Sequence, residues 1–304
     1  MASHFKQLVE KQLITDAPSF LKNTTQYEVI MGSMAYGVSN DSSDMDVYGF
    51  AIPPKHEVFP HVRGEVPGFD PYDLGFQQYQ KHHINDPQAM GGSGRVYDVT
   101  IYSITRYFRL LADNNPNIID SLFVPRHCVL HATPVAEMIR EQRTLFLHKG
   151  CWSKFKGYAY GQIHKIRTKN PIGKRKEVVE KYGYDIKFAY HVVRLLGEVE
   201  QLMITQDLDL TRDAERLKAI RRGDWSIEQL ESFFRSKERE LEAVYLQRCK
   251  LPDKPNEKAI RELLMNCLEQ HYGTISDVVN QQDKATLAIN KIQKIIEDFG
   301  SNGK

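Results

Sequence analysis

Hydrophobic periodicity changes character near residue 134, and this change constrains the fold more than any other feature of the chain. Before it, Tyr27–Met31 (YEVIM), Met45–Ile52 (MDVYGFAI) and Arg95–Ser103 (RVYDVTIYS) are rich in β-branched and aromatic residues. Each run is bounded by Gly, Ser, Asn, Asp or Pro, which marks it as a strand. After it, helical periodicity predicts helices over Pro134–Leu147, Trp152–Arg167, Lys176–Ile204, Thr211–Arg222, Ser226–Gln247 and Asn256–Tyr272. Asn170-Pro171, Gly223-Asp224 and Leu251-Pro252-Asp253 supply the stop signals between them. The expected organisation is α+β, with an α/β domain over residues 1–133 and a helical domain over 134–304. Residues 53–94, rich in Pro and Gly, read as a long insert with at most one short strand; loops of this length usually serve function.

Composition narrows the function classes. Hydrophobic residues make up 41% of the 304 and charged residues 26%, as in ordinary soluble proteins. No apolar run approaches the roughly 20 residues needed to cross a bilayer, and the opening MASHFKQLVEKQ lacks a signal-peptide core. A cytoplasmic protein with no membrane partner is expected. Cys128, Cys151, Cys249 and Cys267 are too widely spaced for a paired metal motif and read as free, mostly buried thiols. With a net charge of only +2, any nucleic-acid contact must come from a local basic patch.

The chemistry is concentrated in Met31–Phe50, MGSMAYGVSNDSSDMDVYGF. A strand runs into Gly32-Ser33, Gly37 turns the chain, and a second strand opens with Asp44 and Asp46. Residues two apart on a strand share a face, so the two carboxylates stand side by side as oxygen ligands for hard cations. Their mutual repulsion without a cation asks for a metal. Gly32 allows backbone amides to approach a phosphate, Ser33 adds a hydroxyl, and a helix starting after Ser33 would favour the anion further. Two-metal phosphoryl transfer needs another carboxylate, and Asp98, central in the apolar strand VYDVTIY, is the best candidate. Singly, Gly-Ser is an ordinary turn, Asp-x-Asp a solvated pair and Asp98 a sheet-edge aspartate. The ordered combination is far more specific.

That combination resembles the DNA polymerase β superfamily of nucleotidyltransferases, whose pattern is Gly-Ser, Asp-x-Asp and a third Asp on a later strand. The resemblance implies a polymerase β-like core, a small mixed sheet with helices, followed here by helices that complete the cleft. It also implies magnesium or manganese held by Asp44, Asp46 and Asp98, nucleotide binding by Gly32 and Ser33, and transfer of a nucleoside monophosphate from a triphosphate such as ATP.

In the helical half, Lys187, His191, Arg194 and Glu198 fall on one stripe. Lys187 and Arg194 either grip triphosphate oxygens or belong to a solvated face. The stretches FKGYAYGQIHKI, YGYDIKFAYHVVRLL, IRRGDWS and LPDKP resemble the RNA-repair, RNA-ligase-associated branch of the superfamily, over roughly Tyr27–Tyr272. An RNA end as acceptor and functional association with an RNA ligase are what this implies. His164–Lys176, with Lys174, Arg175 and Lys176, is either an RNA-tracking patch or a solvated basic loop. His82 and His83 are adjacent, would point apart if extended, and read as loop residues; Gly91–Gly94 read as a hairpin turn. Competing readings are a non-catalytic, antitoxin-like binding module of the same fold and an enzyme that nucleotidylates a protein or small molecule.

Overall fold

The computed structural model describes residues 3–39, 44–59 and 74–273, together with Ile292. Five strands form one mixed sheet: β1 (Thr25–Ile30), β2 (Met45–Ala51), β3 (Gln78–Asp86), β4 (Arg95–Ser103) and β5 (Val129–Ala132). Their order is β3-β4-β2-β1-β5. β2 and β4 run parallel, and the other three pairs are antiparallel. Interspersed with them are α1 (His4–Glu10), α2 (Leu21–Thr24), α3 (Lys55–Val58), α4 (Ala89–Gly92), α5 (Ile104–Ala112) and α6 (Pro116–Phe123). After β5 the chain is helical: α7 (Pro134–Glu141), α8 (Gly150–Thr168), α9 (Lys174–Tyr182), α10 (Ile186–Thr205), α11 (Ala214–Arg222), α12 (Ile227–Gln247) and α13 (Glu257–Tyr272). The fold is α+β. No helix among the described residues is long and apolar enough to cross a membrane.

One face of β2 leads from the core into an open cleft. Phe50 packs against Tyr27 and Tyr107, at centroid distances of 5.8 and 4.9 Å, and closes the core end under α5. Tyr48 is half-buried, and Asp46 and Asp44 continue the same face outward. The cleft is covered by α10, which packs against α8, α11 and α12. Its apolar residues, including Leu195, Leu196, Val199 and Leu202, are buried on nearly every side, as expected for a central helix. Each contributes about 1.5–3 kcal/mol by burial, which fixes where the polar residues of α10 stand. The cysteines are free, and Cys128, Cys151 and Cys267 are buried.

Several sequence expectations need correction. Within the segment 53–94, whose residues 60–73 lie outside the described ones, the one short strand expected is the nine-residue edge strand β3. Along β3 only Tyr79, Ile84 and Asp86 are buried, so an apolar alternation never forms and backbone pairing to β4 sets the strand. His82 and His83 therefore belong to a strand, at a bulge between Lys81 and Ile84. Gly91, Gly92 and Gly94 take positive φ in the connection to β4. The helix expected over Lys176–Ile204 is broken where Gly183 turns left-handed (φ 81°) and Asp185 caps α10 by accepting from the Lys187 amide at 2.9 Å. The helix expected over Pro134–Leu147 ends at Glu141 and passes into a 3-10 turn, Arg143–Phe146, with no Gly or Pro in the sequence to mark the join.

Candidate active site

β2 and β4 bring the carboxylates together. In their parallel register Asp46 stands opposite Asp98, and Tyr48 opposite Thr100. Asp44 sits one residue before β2, exposed at the rim. All three line a cavity of about 720 Å³, of the size that small-molecule clefts occupy. Burial raises the pKa of Asp46, and the nearby charges of Asp98 and Asp44 raise it further, against the opposing pull of Lys187 and His82.

Asp98 is held by the edge strand. The His83 amide donates to Asp98 Oδ1 at 2.8 Å, and His82 Nδ1 lies 3.1 Å from Oδ2. His83 has φ 55°, and this left-handed residue is what lets two adjacent positions address one carboxylate. In a regular strand they would face opposite ways.

The chain between β1 and β2 forms the second wall. The Met31 amide donates to the Asp46 carbonyl at 2.7 Å, and Gly32 follows with φ 66°. A Cβ at Gly32 would fall 2.1 Å from Asp46 Oδ2, so only glycine lets the turn and the carboxylate meet. Residues 32–37 make a single turn rather than a helix, closed by Tyr36 N to Gly32 O (3.3 Å) and Val38 N to Ser33 O (2.9 Å). In this turn the Ser33 and Met34 amides have no acceptor among the described residues. Gly32 and Ser33 both line the cavity.

Cations face the carboxylates from the helical side: Arg175 on α9, Lys187 and Arg194 on α10, and Arg221 on α11. They are not equivalent. Arg194 is 4% exposed, and its Nη1 donates to Asp120 Oδ2 at 2.5 Å and to Glu198 Oε1 at 2.9 Å. Its guanidinium lies 4.3 Å from the Tyr36 ring centroid, and the Tyr36 hydroxyl also donates to Asp120 Oδ2, at 2.9 Å. The stripe Lys187, His191, Arg194, Glu198 is thus not a solvated face. Its deeper half is a buried ion cluster tying α10 to α6 and to the turn at 32–37. Burial keeps Asp120 and Glu198 above the ordinary carboxylate range, against the pull of Arg194. Arg194 Nε has no hydrogen-bond partner among the described residues. Arg221 Nη1 donates to the Val38 carbonyl at 2.5 Å and fastens the other end of the turn.

Within the basic stretch 164–176, Arg175 and Lys176 face different surroundings. Arg175 points into the cavity wall, 3.3 Å from Asp185, whereas Lys176 is exposed beside Glu180; the Lys174 side chain lies outside the described residues. Sequence reasoning missed Arg221, Tyr36, Asp120, Asp185 and His82 as parts of this site. Arg221 lies within IRRGDWS, where it is one of two adjacent arginines and nothing local selects it. Asp120 carried a signal: a lone acid amid the apolar residues of PNIIDSLF.

Among the described residues no three acidic, imidazole or thiol side chains converge as a ready ion site. In donor type and charge, however, the pair Asp46 and Asp98 with the rim Asp44 fits a hard divalent cation: the three line one cavity with oxygen donors, and Asp46, raised first by burial and then by the charges of Asp98 and Asp44, would be relieved by one.

A mixed sheet that presents carboxylates from adjacent parallel strands, beside a glycine turn and under a basic helical wall, defines the polymerase β-like nucleotidyltransferase class. Within it, the chain belongs to the RNA repair pathway DNA polymerase beta family (RlaP), whose model matches residues 4–266. No curated relative matches the chain. Among solved structures it is similar to a nucleotidyltransferase-like protein from Exiguobacterium sibiricum 255-15, at 9% identity, covering 97% of this chain and 92% of that one. The TM-score of 0.27 is too low to carry a structural argument.

Proposed function

We propose that this chain transfers a nucleoside monophosphate from a nucleoside triphosphate, ATP in our reading, to a hydroxyl at an RNA end, with release of pyrophosphate. The observation that carries this reading is the in-register pair Asp46 and Asp98, facing Arg175, Lys187 and Arg221 across one cavity. Carboxylates on one wall suit cations, and cations on the other suit a polyphosphate.

Asp44, Asp46 and Asp98 would hold magnesium or manganese, which when bound supplies charge against the negative charge growing on the α-phosphoryl oxygens. The Ser33 hydroxyl and the open amides of the turn donate to non-bridging phosphate oxygens. Lys187, in the first turn of α10, and Arg221 neutralise the β and γ phosphates. The acceptor oxygen bonds to the α-phosphorus as the bond to the bridging oxygen of the leaving pyrophosphate breaks, and the acceptor proton passes to the Asp98 carboxylate. His82 and the His83 amide keep that carboxylate aimed. An end extended or capped in this way is a substrate for strand joining, which is the functional association with an RNA ligase that we propose.

Incubation with each α-labelled triphosphate, magnesium or manganese, and RNA ends, proteins or no acceptor tests the reading. Label appearing on RNA supports it. Label on protein alone, or none with any acceptor, overturns it.

A further inference from the structure

A second cavity of about 460 Å³ opens beside the first, between the end of α8, the connection 169–173, α9 and the start of α10. The two share Arg175 and Asp185 in their linings, so they adjoin at this ion pair. At the centre of the second is the Phe188 ring, 7% exposed, and three cations gather on it. Lys165 Nζ lies 5.8 Å, Lys169 Nζ 5.6 Å and Arg175 Cζ 4.7 Å from the ring centroid.

These charges are poorly matched. Asp185 is the carboxylate in the lining, and it already serves Arg175 and the amide cap of α10. Among the described residues neither Lys165 nor Lys169 has a carboxylate partner, and both are exposed. The surplus is felt next door, where His191 is held neutral first by burial and then by Arg194, Lys187, Arg175 and Lys165. Of the three cations on this ring only Arg175 has a counter-ion, so the charges of Lys165 and Lys169 repel it and each other, and an anion entering the cavity relieves them. Between the cations the lining is apolar, and Ile172 stands at the rim 83% exposed.

We infer that this cavity is the seat of a single-stranded RNA acceptor, holding the backbone phosphate just upstream of the reacting end. Cations that follow a backbone, interleaved with apolar surface on which a base can lie, are what single strands require. Donor phosphates have their own partners in Lys187 and Arg221, nearer the carboxylates. The inference rests on the proposed reaction for the direction of the strand, but the cavity makes its own claim on binding.

The test is binding of a short, fluorescently labelled oligoribonucleotide to the full chain as salt is varied, for the wild type and for Lys165→Ala combined with Lys169→Ala. Both positions are exposed, so the variant is expected to fold. Losing two phosphate contacts should weaken binding about tenfold at low salt and flatten the log affinity against log salt plot by about 1.4, at about 0.7 per contact for single strands. Lys165→Arg with Lys169→Arg should bind as the wild type does, and ATP affinity should not move in either variant. Unchanged RNA affinity and slope in the alanine variant overturn the inference, as does a parallel loss of ATP affinity, which would assign the cavity to the donor. Label transfer by the wild type is read separately. Transfer to RNA with an unmoved alanine variant removes the subsite and keeps the reaction; a weakened variant without any transfer keeps the subsite and removes the reaction.

Discussion

His82 Nδ1 lies 3.1 Å from Asp98 Oδ2, while the next residue's amide holds Oδ1 at 2.8 Å. The bulge of an edge strand thus supports a carboxylate of its neighbour. Groups that orient a ligand carboxylate typically carry 10- to 100-fold effects on activity or metal affinity. His82→Ala should therefore lower kcat about 10-fold and raise the metal concentration needed for half activity, with KM for the triphosphate little changed. His82→Gln, which can still donate, should recover part of the loss. Steady-state kinetics across a metal titration would show it. A KM effect alone would place His82 at the substrate instead.

Gly32 and Asp46 are locked together, since a Cβ on the first would fall 2.1 Å from the second's carboxylate oxygen. Gly32→Ala must also place an L side chain at φ 66°, at a cost of about 1–2 kcal/mol. Thermal unfolding should report that loss, and nucleotidyl transfer should fall with it. Asp46→Asn behaves oppositely: transfer falls by on the order of 100-fold or more, while stability without metal is unchanged or higher because repulsion from Asp98 and Asp44 is relieved.

Lys187 and Arg194 should separate cleanly. Removing Arg194 leaves Asp120 and Glu198 buried without their counter-charge, so Arg194→Ala should destabilise the fold by about 3–5 kcal/mol in denaturant unfolding. Lys187→Ala should leave stability nearly unchanged and weaken ATP binding by about 1–3 kcal/mol, read by titration calorimetry.

His191 gives the protein a pH signature. Burial, then the charges of Arg194, Lys187, Arg175 and Lys165, hold its pKa well below the ordinary 6.5. The unfolded chain binds a proton below pH 6.5 that the native state refuses, so the His191 contribution to stability is flat above that value and falls on acidification, by up to about 1.4 kcal/mol per pH unit. The difference between wild type and His191→Asn in urea midpoints across this range isolates the effect from the buried carboxylates. A variant that retains the full acid slope would assign that slope to other groups.

The parts of this site that share one short segment were legible before the fold was known. Gly32, Ser33, Asp44 and Asp46 sit within fifteen residues, and strand periodicity alone put both aspartates on one face. Asp98 was legible too, because an acid amid alternating apolar residues is costly without a purpose. The edge strand β3 was not, since a strand paired on one side and half in water has little need of buried apolar residues.

Local periodicity and turn chemistry were enough for the α+β character, the run of helices that follows β5 and the order of the carboxylates along the chain. Tertiary structure decided the rest. It paired Asp46 with Asp98 through the register of two strands about fifty residues apart. It turned Arg194 inward to Asp120 and left Lys187 facing the cavity, although both lie on one helical stripe. It also brought Arg221 to Val38 and His82 to Asp98. Such partnerships depend on long-range packing and on one bulged residue, and no local pattern encodes which distant group will arrive.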